Sequence, residues 1–466
     1  MLPTRPKGML TEIDLRAQVE SGEIDTVVAV FPDLYGRLVG KRVAGTYFCE
    51  EILAHGMHAC DYLLACDMEM DPTPGYRFAS WEDGYGDVRC VADMTTLRRA
   101  SWLDRTALVL CDVHSEKTDD LAAVAPRSIL RHQLQRAHDL GLEPMAGTEL
   151  EFFVLRDSYE SAERKGFAGL ETFGWYIEDY HTLQGTKVEP LVGAIRRHLD
   201  ASGIPVETSK GEWGPGQHEI NVRYAPFLEM ADRHVIYKQL AKEIAHQQGL
   251  AVTFMAKPDE RYAGSSMHLH SSLWSRDSGV PLFRGGEARF AGDPKELPER
   301  FRWWLGGLLR HARASTLLFA PYVNSYKRFR AGSFAPTAIA WSYDNRTAGY
   351  RVVGRGAAMR VECRVPGADA NPYLALAATL AAGLDGLENR IEPPPMFRGD
   401  LYAAAEMPRV PHGLPEAVAE FEASPLFQEA FGADVVEHLV HFARTEQQKF
   451  DETVTTWERR RYLERA

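Results

Sequence analysis

The 466-residue sequence predicts an α+β protein, with a small, mostly β N-terminal domain over residues 1–115 and a large C-terminal domain over 116–466. Three observations predict it. Strand-like runs dominate the first part of the chain. Pro126 opens an amphipathic helix after a polar connector. Beyond it, short strands alternate with helices, and four of those strands carry charge at every second position. With 45% apolar and 25% charged residues the chain has ample material for a sizeable core.

The elements follow in order. Val27, Val28, Val30 and Phe31, then Leu38, Val39 and Val43, flank Pro32-Asp33-Leu34-Tyr35-Gly36, so the pattern over 26–43 reads as a hairpin. Further strand signals stand at 88–91 and 107–113. The acidic stretch 115–125 reads as a connector. The helix from Pro126 places Ile129, Leu130, Leu134 and Ala137 on one face and ends before Gly141. A long Ala/Leu-rich helix starts at Asn371-Pro372, where Asn caps and Pro takes the first turn, and 435–463 reads as further helix.

A net charge of -12 argues against broad nucleic-acid binding, which needs a basic face. The six cysteines form no C-x-x-C pair and read as reduced thiols in a cytoplasmic protein. The N-terminus lacks an apolar signal region. The longest apolar run, about twelve residues over 373–384, is too short to span a membrane.

Side chains at i and i+2 of a strand share a face. Glu149 and Glu151 therefore point one way while Leu150 and Phe152 point the other; Gln217, Glu219, Asn221 and Arg223 share a face, as do His268, His270 and Ser272, and Arg360, Glu362 and Arg364. One such strand is ordinarily a solvated face. Four together fit a sheet with one side on a core and the other lining a polar cavity. Carboxylates and imidazoles crowded there need compensation, which divalent cations supply, and the oxygen-rich set suits Mg²⁺ or Mn²⁺. Glu149, Glu151, Glu212, Glu219 and Glu362 point to more than one ion. Arg328, Arg346, Arg351, Arg360 and Arg364 add guanidinium groups that grip carboxylates and phosphates. These are the parts for phosphoryl transfer from a nucleotide to an anionic acceptor. No Walker loop is present; 36–42 is a near miss with the wrong spacing.

Seven motifs then carry a resemblance: Glu149-Leu-Glu151-Phe-Phe153, Gly214-Pro-Gly-Gln-His-Glu219, Thr253-Phe-Met-Ala-Lys-Pro258, Gly264-Ser-Ser-Met-His-Leu-His270, Asn324-Ser-Tyr-Lys-Arg328, Asn345-Arg346 and the run from Arg360 to Tyr373. In order and spacing the chain resembles the glutamine synthetase family. The resemblance implies a β-grasp N-terminal domain and a catalytic domain with a curved antiparallel sheet and helices. It also implies hexameric rings stacked as a dodecamer, and ATP-dependent phosphorylation of the γ-carboxylate of L-glutamate followed by attack of a nitrogen nucleophile. By motif match, Glu151, Glu212 and Glu219 are expected to ligate one metal, and Glu149, His268 and Glu362 another, two or three Mg²⁺ or Mn²⁺ in all. Gly264, Arg328, Arg346 and Arg364 match glutamate positions; Glu207, His270, Ser272, Arg351 and Arg360 match the ATP side. Arg328, Arg346 and Glu362 are the expected catalytic groups.

Departures from the family's ammonia users bear on the nucleophile. They carry an acid six positions after the Asn-Ser-Tyr-Lys-Arg arginine; here that position is Phe334, which accepts no proton. Their Asp-Gly-Ser-Ser loop is absent, with Asp61 and Asp67 the nearest acids, and Ala263 stands where they have Asn. The resemblance is therefore closest to the γ-glutamylamine branch. The leading expectation is a polyamine substrate (putrescine, cadaverine, spermidine or spermine), with Phe334, Tyr180 and Trp175 as candidate walls of an amine channel. Ethanolamine and ammonia are the rival nucleophiles, and a non-catalytic ring-forming homologue is the reading outside enzymology. Tyr402 is the candidate for the tyrosine that some bacterial members adenylylate.

Overall fold

The computed structural model describes residues 6–82, 84–286, 296–330 and 332–466. Residues 1–5 of the N-terminal stretch and Ala331 of the 330–336 segment lie outside them.

The first sheet contains β1 (Thr26–Pro32), β2 (Leu38–Ala44), β3 (Met57–Cys60), β4 (Asp87–Ala92), β5 (Arg98–Arg99) and β6 (Thr106–Ser115). Its order is β2-β1-β6-β4-β3, with β5 also on β6; β1 and β6 run parallel and the other pairs antiparallel. The β1–β2 turn is the expected hairpin. The Asp33 N–H donates to the Arg37 carbonyl at 2.9 Å, and Gly36 sits at φ +73°, where a Cβ would be strained.

The second sheet contains β7 (Leu142–Leu155), β8 (Val206–Gly211), β9 (Gln217–Val222), β10 (Ala225–Pro226), β11 (Ala251–Thr253), β12 (Met267–Ser275), β13 (Trp341–Tyr343), β14 (Tyr350–Val353) and β15 (Arg360–Cys363). The order is β13-β14-β15-β12-β7-β9-β8, with β10 and β11 on β7; only β13 and β14 are parallel neighbours. On β7 the apolar alternates Leu150 and Phe152 are fully buried, and the Phe152 ring meets Tyr237 of the helix Phe227–Gln247 edge-on at 6.4 Å. Each such ring is worth about 1.5–3 kcal/mol of burial. The core therefore lies on the helical side of the sheet, and the charged alternates are left on the other.

Arg127, just inside the expected helix Pro126–Asp139, ties the first sheet to the helix Phe227–Gln247 that backs the second. Its guanidinium is 3% exposed and reaches Asp93 at 2.7 Å, Asp232 at 3.0 Å and Asp112, with Tyr373 donating to Asp232 at 2.6 Å. Breaking a buried network of this kind costs about 3–5 kcal/mol. Asn371 also joins the halves. Its carboxamide accepts from Tyr373 N–H to cap the helix Pro372–Glu388, and donates to the carbonyls of Asp33 and Leu34 in the β1–β2 turn.

The C-terminal expectation needs correction. The helix over 435–463 is two helices, Ala433–Asp451 and Thr456–Tyr462. The β-branched run Thr453-Val454-Thr455 favours a break, and Thr455 starts the second helix through a reciprocal capping box with Glu458. Among the described residues no helix is long and apolar enough to cross a membrane.

Candidate active site

Strand register, which the sequence does not print, assembles the site. Across the second sheet Glu149 lies opposite His268 on one side and Asn221 on the other. Glu151 lies opposite Glu219, which lies opposite Lys210; Glu362 is flanked by His270 and Arg351. Directly opposed residues share a face. The charged alternates of six strands thus converge on one surface.

Two carboxylate groups result. Glu151, Glu212 and Glu219 offer oxygens all within 4.8 Å of one another, and Glu149, His270 and Glu362 bring two carboxylate oxygens and an imidazole nitrogen equally close. Burial, and then the charge of Glu212, pushes the Glu151 carboxyl up to about 8. Burial and three neighbouring glutamates raise Glu219 well above the usual range. Acids held together against their own repulsion fit a divalent cation, which supplies the missing charge. In the second group burial opposes ionisation, but His268 and His270 hold Glu149 low, and Arg364 and both imidazoles hold Glu362 at about 2.

His268 and His270 both stand at the second group. His268 Nδ1 lies 3.2 Å from Glu149 and 3.6 Å from Glu362. Burial depresses His268 to about 4, keeping the ring neutral as a ligand must be, and its Nε2 is buried without a partner. His270, expected only on the nucleotide side, also contacts Glu149, through Nε2 at 2.9 Å, while Arg360 Nε donates to its Nδ1 at 3.1 Å. With that lone pair used, His270 presents an N–H to Glu149. The ring nitrogen left without a partner is His268 Nε2, while the atom of that ring beside Glu149 and Glu362 is Nδ1.

Arg328 is 1% exposed and donates to Ser266 Oγ at 2.9 Å and to the Val365 carbonyl. Arg364 pairs with Glu362 at 2.5 Å and Arg351 with the same carboxylate at 2.8 Å. The Nε atoms of all three arginines are buried without a protein partner, as expected where an anionic ligand completes the bonding. Gly264 must be glycine, since a Cβ would lie 2.4 Å from Arg328 Cγ and 2.5 Å from the Ala256 carbonyl oxygen. Arg346 is exposed and lines the same cavity.

That cavity is about 690 Å³ and holds Glu151, Glu212, Glu219, Gly264, Arg346, Arg364 and Phe334. A second, of about 470 Å³, shares Glu149 and Asn221 with it and is lined by Glu207, His270, Ser272 and Arg360. A register shift between Val206 and Thr208 interrupts the alternation of β8, and Glu207 lines the second cavity while Lys210 and Glu212 line the first. Tyr224 and Trp274, with rings 6.3 Å apart, add aromatic surface to the second cavity that sequence reading missed.

The candidate amine wall is partly corrected. Phe334 and Tyr180 line the larger cavity, but Trp175 does not: it is 68% exposed, with Lys187 Nζ 4.5 Å from its ring centroid. The missing partner is Trp213, directly after Glu212, whose ring centroid is 5.1 Å from that of Phe334. Phe334 at φ +60° and Tyr180 at φ +56° both hold left-handed backbone, a cost of about 1–3 kcal/mol each. Asp67 is committed to Lys449 and the Asp71 N–H, and Asp61 accepts from the Gly86 N–H. The Tyr402 hydroxyl is buried, so this fold does not present it for modification.

A face of clustered carboxylates and of guanidinium groups with unpartnered Nε atoms, flanked by two confluent cavities, fits divalent cations and anionic substrates. Residues 123–462 match the glutamine synthetase catalytic domain, and the chain belongs to that family. It is 46% identical to the γ-glutamylethanolamide synthetase GlnA4 of Streptomyces coelicolor, over 97% of this chain and 95% of that protein. It is 34% identical to the glutamate–isopropylamine ligase of a Pseudomonas species, over 97% and 98% of the two chains. The solved GmaS/ADP complex superposes with a TM-score of 0.83 at 28% identity, covering 97% of this chain and 99% of that one.

Proposed function

We propose that this protein is an ATP-dependent ligase joining the γ-carboxylate of L-glutamate to a short primary amine with an uncharged tail, ethanolamine foremost. One observation carries the choice of nucleophile. The position where the family's ammonia users hold an acid is Phe334, packed at a tilt against Trp213 beside Glu212 and Arg364 in the same cavity. An aromatic pair accepts no proton from ammonium, but packs well against methylene carbons. The relatives named for ethanolamine and isopropylamine support the same reading.

In this reading Glu151, Glu212 and Glu219 would hold one Mg²⁺ or Mn²⁺, and Glu149, His268 and Glu362 another, supplying positive charge for the phosphates of ATP. Glu207, Ser272, Arg360, Tyr224 and Trp274 receive the nucleotide. Arg328, Arg346 and Arg364 hold glutamate and, with Arg351, the transferred phosphoryl group. The amine nitrogen then bonds the carbonyl carbon of the phosphorylated γ-carboxyl group, that carbon's bond to the phosphate oxygen breaks, and phosphate leaves with the proton balance met by loss of one amine proton. Phe334 and Trp213 cover the activated carboxyl and keep water from it. We place the protein in the cytoplasm, which the free thiols support, as a homo-oligomer of stacked rings. Ile13, Trp81, Trp457 and Leu463 are each more than half exposed on one chain, apolar surface of the kind a partner subunit covers.

The polyamine expectation keeps one point in its favour, the Asp179 carboxylate at the cavity rim. Phosphate release from ATP and glutamate with ethanolamine, isopropylamine, putrescine, spermidine and ammonia separates these readings. Ethanolamine is expected to support turnover at least ten-fold above the polyamines. In the same assay Phe334→Glu is expected to raise ammonia-dependent kcat/KM about ten-fold or more while lowering that for ethanolamine; an unchanged ratio would show that Phe334 does not select the nucleophile.

A further inference from the structure

Lys210 is a cation among the carboxylates Asp179, Glu212 and Glu219 of the larger cavity, and unlike the arginines there it is not used in the reaction above. It stands on β8 opposite Glu219. Its Nζ pairs with Glu212, lies 3.9 Å from Asp179 Oδ1 and sits 4.5 Å from the centroid of the Tyr180 ring. Each of these neighbours lines the larger cavity together with Trp213 and Phe334. The left-handed backbone at Tyr180 is secured by its N–H to the Gly211 carbonyl at 3.3 Å, which brings the ring beside the lysine. The ammonium is thus fixed at the rim by two carboxylates and an aromatic face.

We propose that Lys210 is the charge filter of the amine subsite, admitting a primary amine whose tail is neutral and turning away one whose tail carries a second ammonium. The proposal rests on the ligase reading above. Lys210 acts in two ways. Its charge offsets the pull that Glu212 and Asp179 would otherwise exert on a distal ammonium. It also occupies Asp179, the carboxylate at the rim that a distal ammonium would otherwise pair with. Specificity then comes from a repulsive element as much as from the apolar wall.

The test uses length-matched amines that differ only in the terminal group: ethanolamine against ethylenediamine, and 4-aminobutanol against putrescine. In the wild-type enzyme the hydroxyl member of each pair is expected to have at least ten-fold higher kcat/KM. Lys210→Met is expected to narrow that ratio at least five-fold, Lys210→Arg to preserve it, and Asp179→Asn in the Lys210→Met background to remove the gain for the diamine. Equal use of both members by the wild type, or an unchanged ratio in Lys210→Met, overturns the filter. Should Lys210→Met not turn over, the same comparison is read from the amine-induced rise in Tm with glutamate present, and wild-type discrimination there overturns it equally. Turnover of ammonia alone would instead defeat the ligase reading on which the proposal stands.

Discussion

Glu219→Gln is expected to lower kcat by at least about a thousand-fold while leaving the fold intact. Glu219 is 4% exposed, faces Glu151 across β7 and β9, and belongs to a trio of carboxylates within 4.8 Å. A cation held there stabilises charge that grows during phosphoryl transfer, so its loss appears in kcat rather than in KM alone. The variant also makes a thermal prediction of opposite sign. The folded protein raises the Glu219 carboxyl above its unfolded value, first by burial and then by Glu212, Glu149 and Glu151. Between those two values the native state binds the extra proton, so wild-type stability in chelator falls as pH rises above the ordinary carboxylate range. Glutamine carries no such penalty. In chelator at pH 8 the variant is expected to have the higher Tm, with the gap closing towards pH 5; calorimetry is expected to show one class of Mn²⁺ site lost. A wild-type kcat, or a lower Tm at pH 8 in chelator, contradicts this account of the trio.

Arg364→Ala is expected to raise the KM for glutamate at least a hundred-fold and to destabilise the protein by about 3 kcal/mol. Arg364 is 5% exposed and pairs with Glu362, which is fully buried. The variant leaves that carboxylate with Arg351 at 2.8 Å and with the two imidazoles, which places the stability cost at the low end for a broken buried pair. Arg364→Lys separates the two roles. It restores a charge beside Glu362 and most of the stability, but a lysine has no planar fork for a carboxylate or phosphate, so KM is expected to stay at least ten-fold high. Equal recovery of Tm and KM in the lysine variant would show that Arg364 only pairs Glu362.

The strands and their polar faces were legible because alternation is a period-two property of the sequence itself. Glu149 and Glu151, His268 and His270, and the arginines near 360 could be grouped by counting. Register could not, since it depends on which strands meet, and it is register that sets Glu219 against both Glu151 and Lys210. Lys210 and Trp213 flank Glu212, and the functional weight of neither follows from residue type or spacing. Trp213 becomes part of the wall only because the segment bearing Phe334 folds over it, 121 residues further along the chain. Trp175 was an attractive aromatic for the same wall and lies elsewhere, because Arg156 and Lys187 engage its ring at the surface. The break at 452–455 turned on the Thr455 cap, a local feature that the apolar periodicity on either side overshadowed.

The central claim is that an intact phosphorylating site has exchanged its ammonium pocket for an apolar one. A direct competition tests it: ATP and L-glutamate are given to the wild-type enzyme with equimolar ethanolamine and ¹⁵N-ammonium, and the products are resolved by mass spectrometry. γ-Glutamylethanolamide is expected in at least ten-fold excess over ¹⁵N-glutamine. Labelled glutamine as the main product would contradict it.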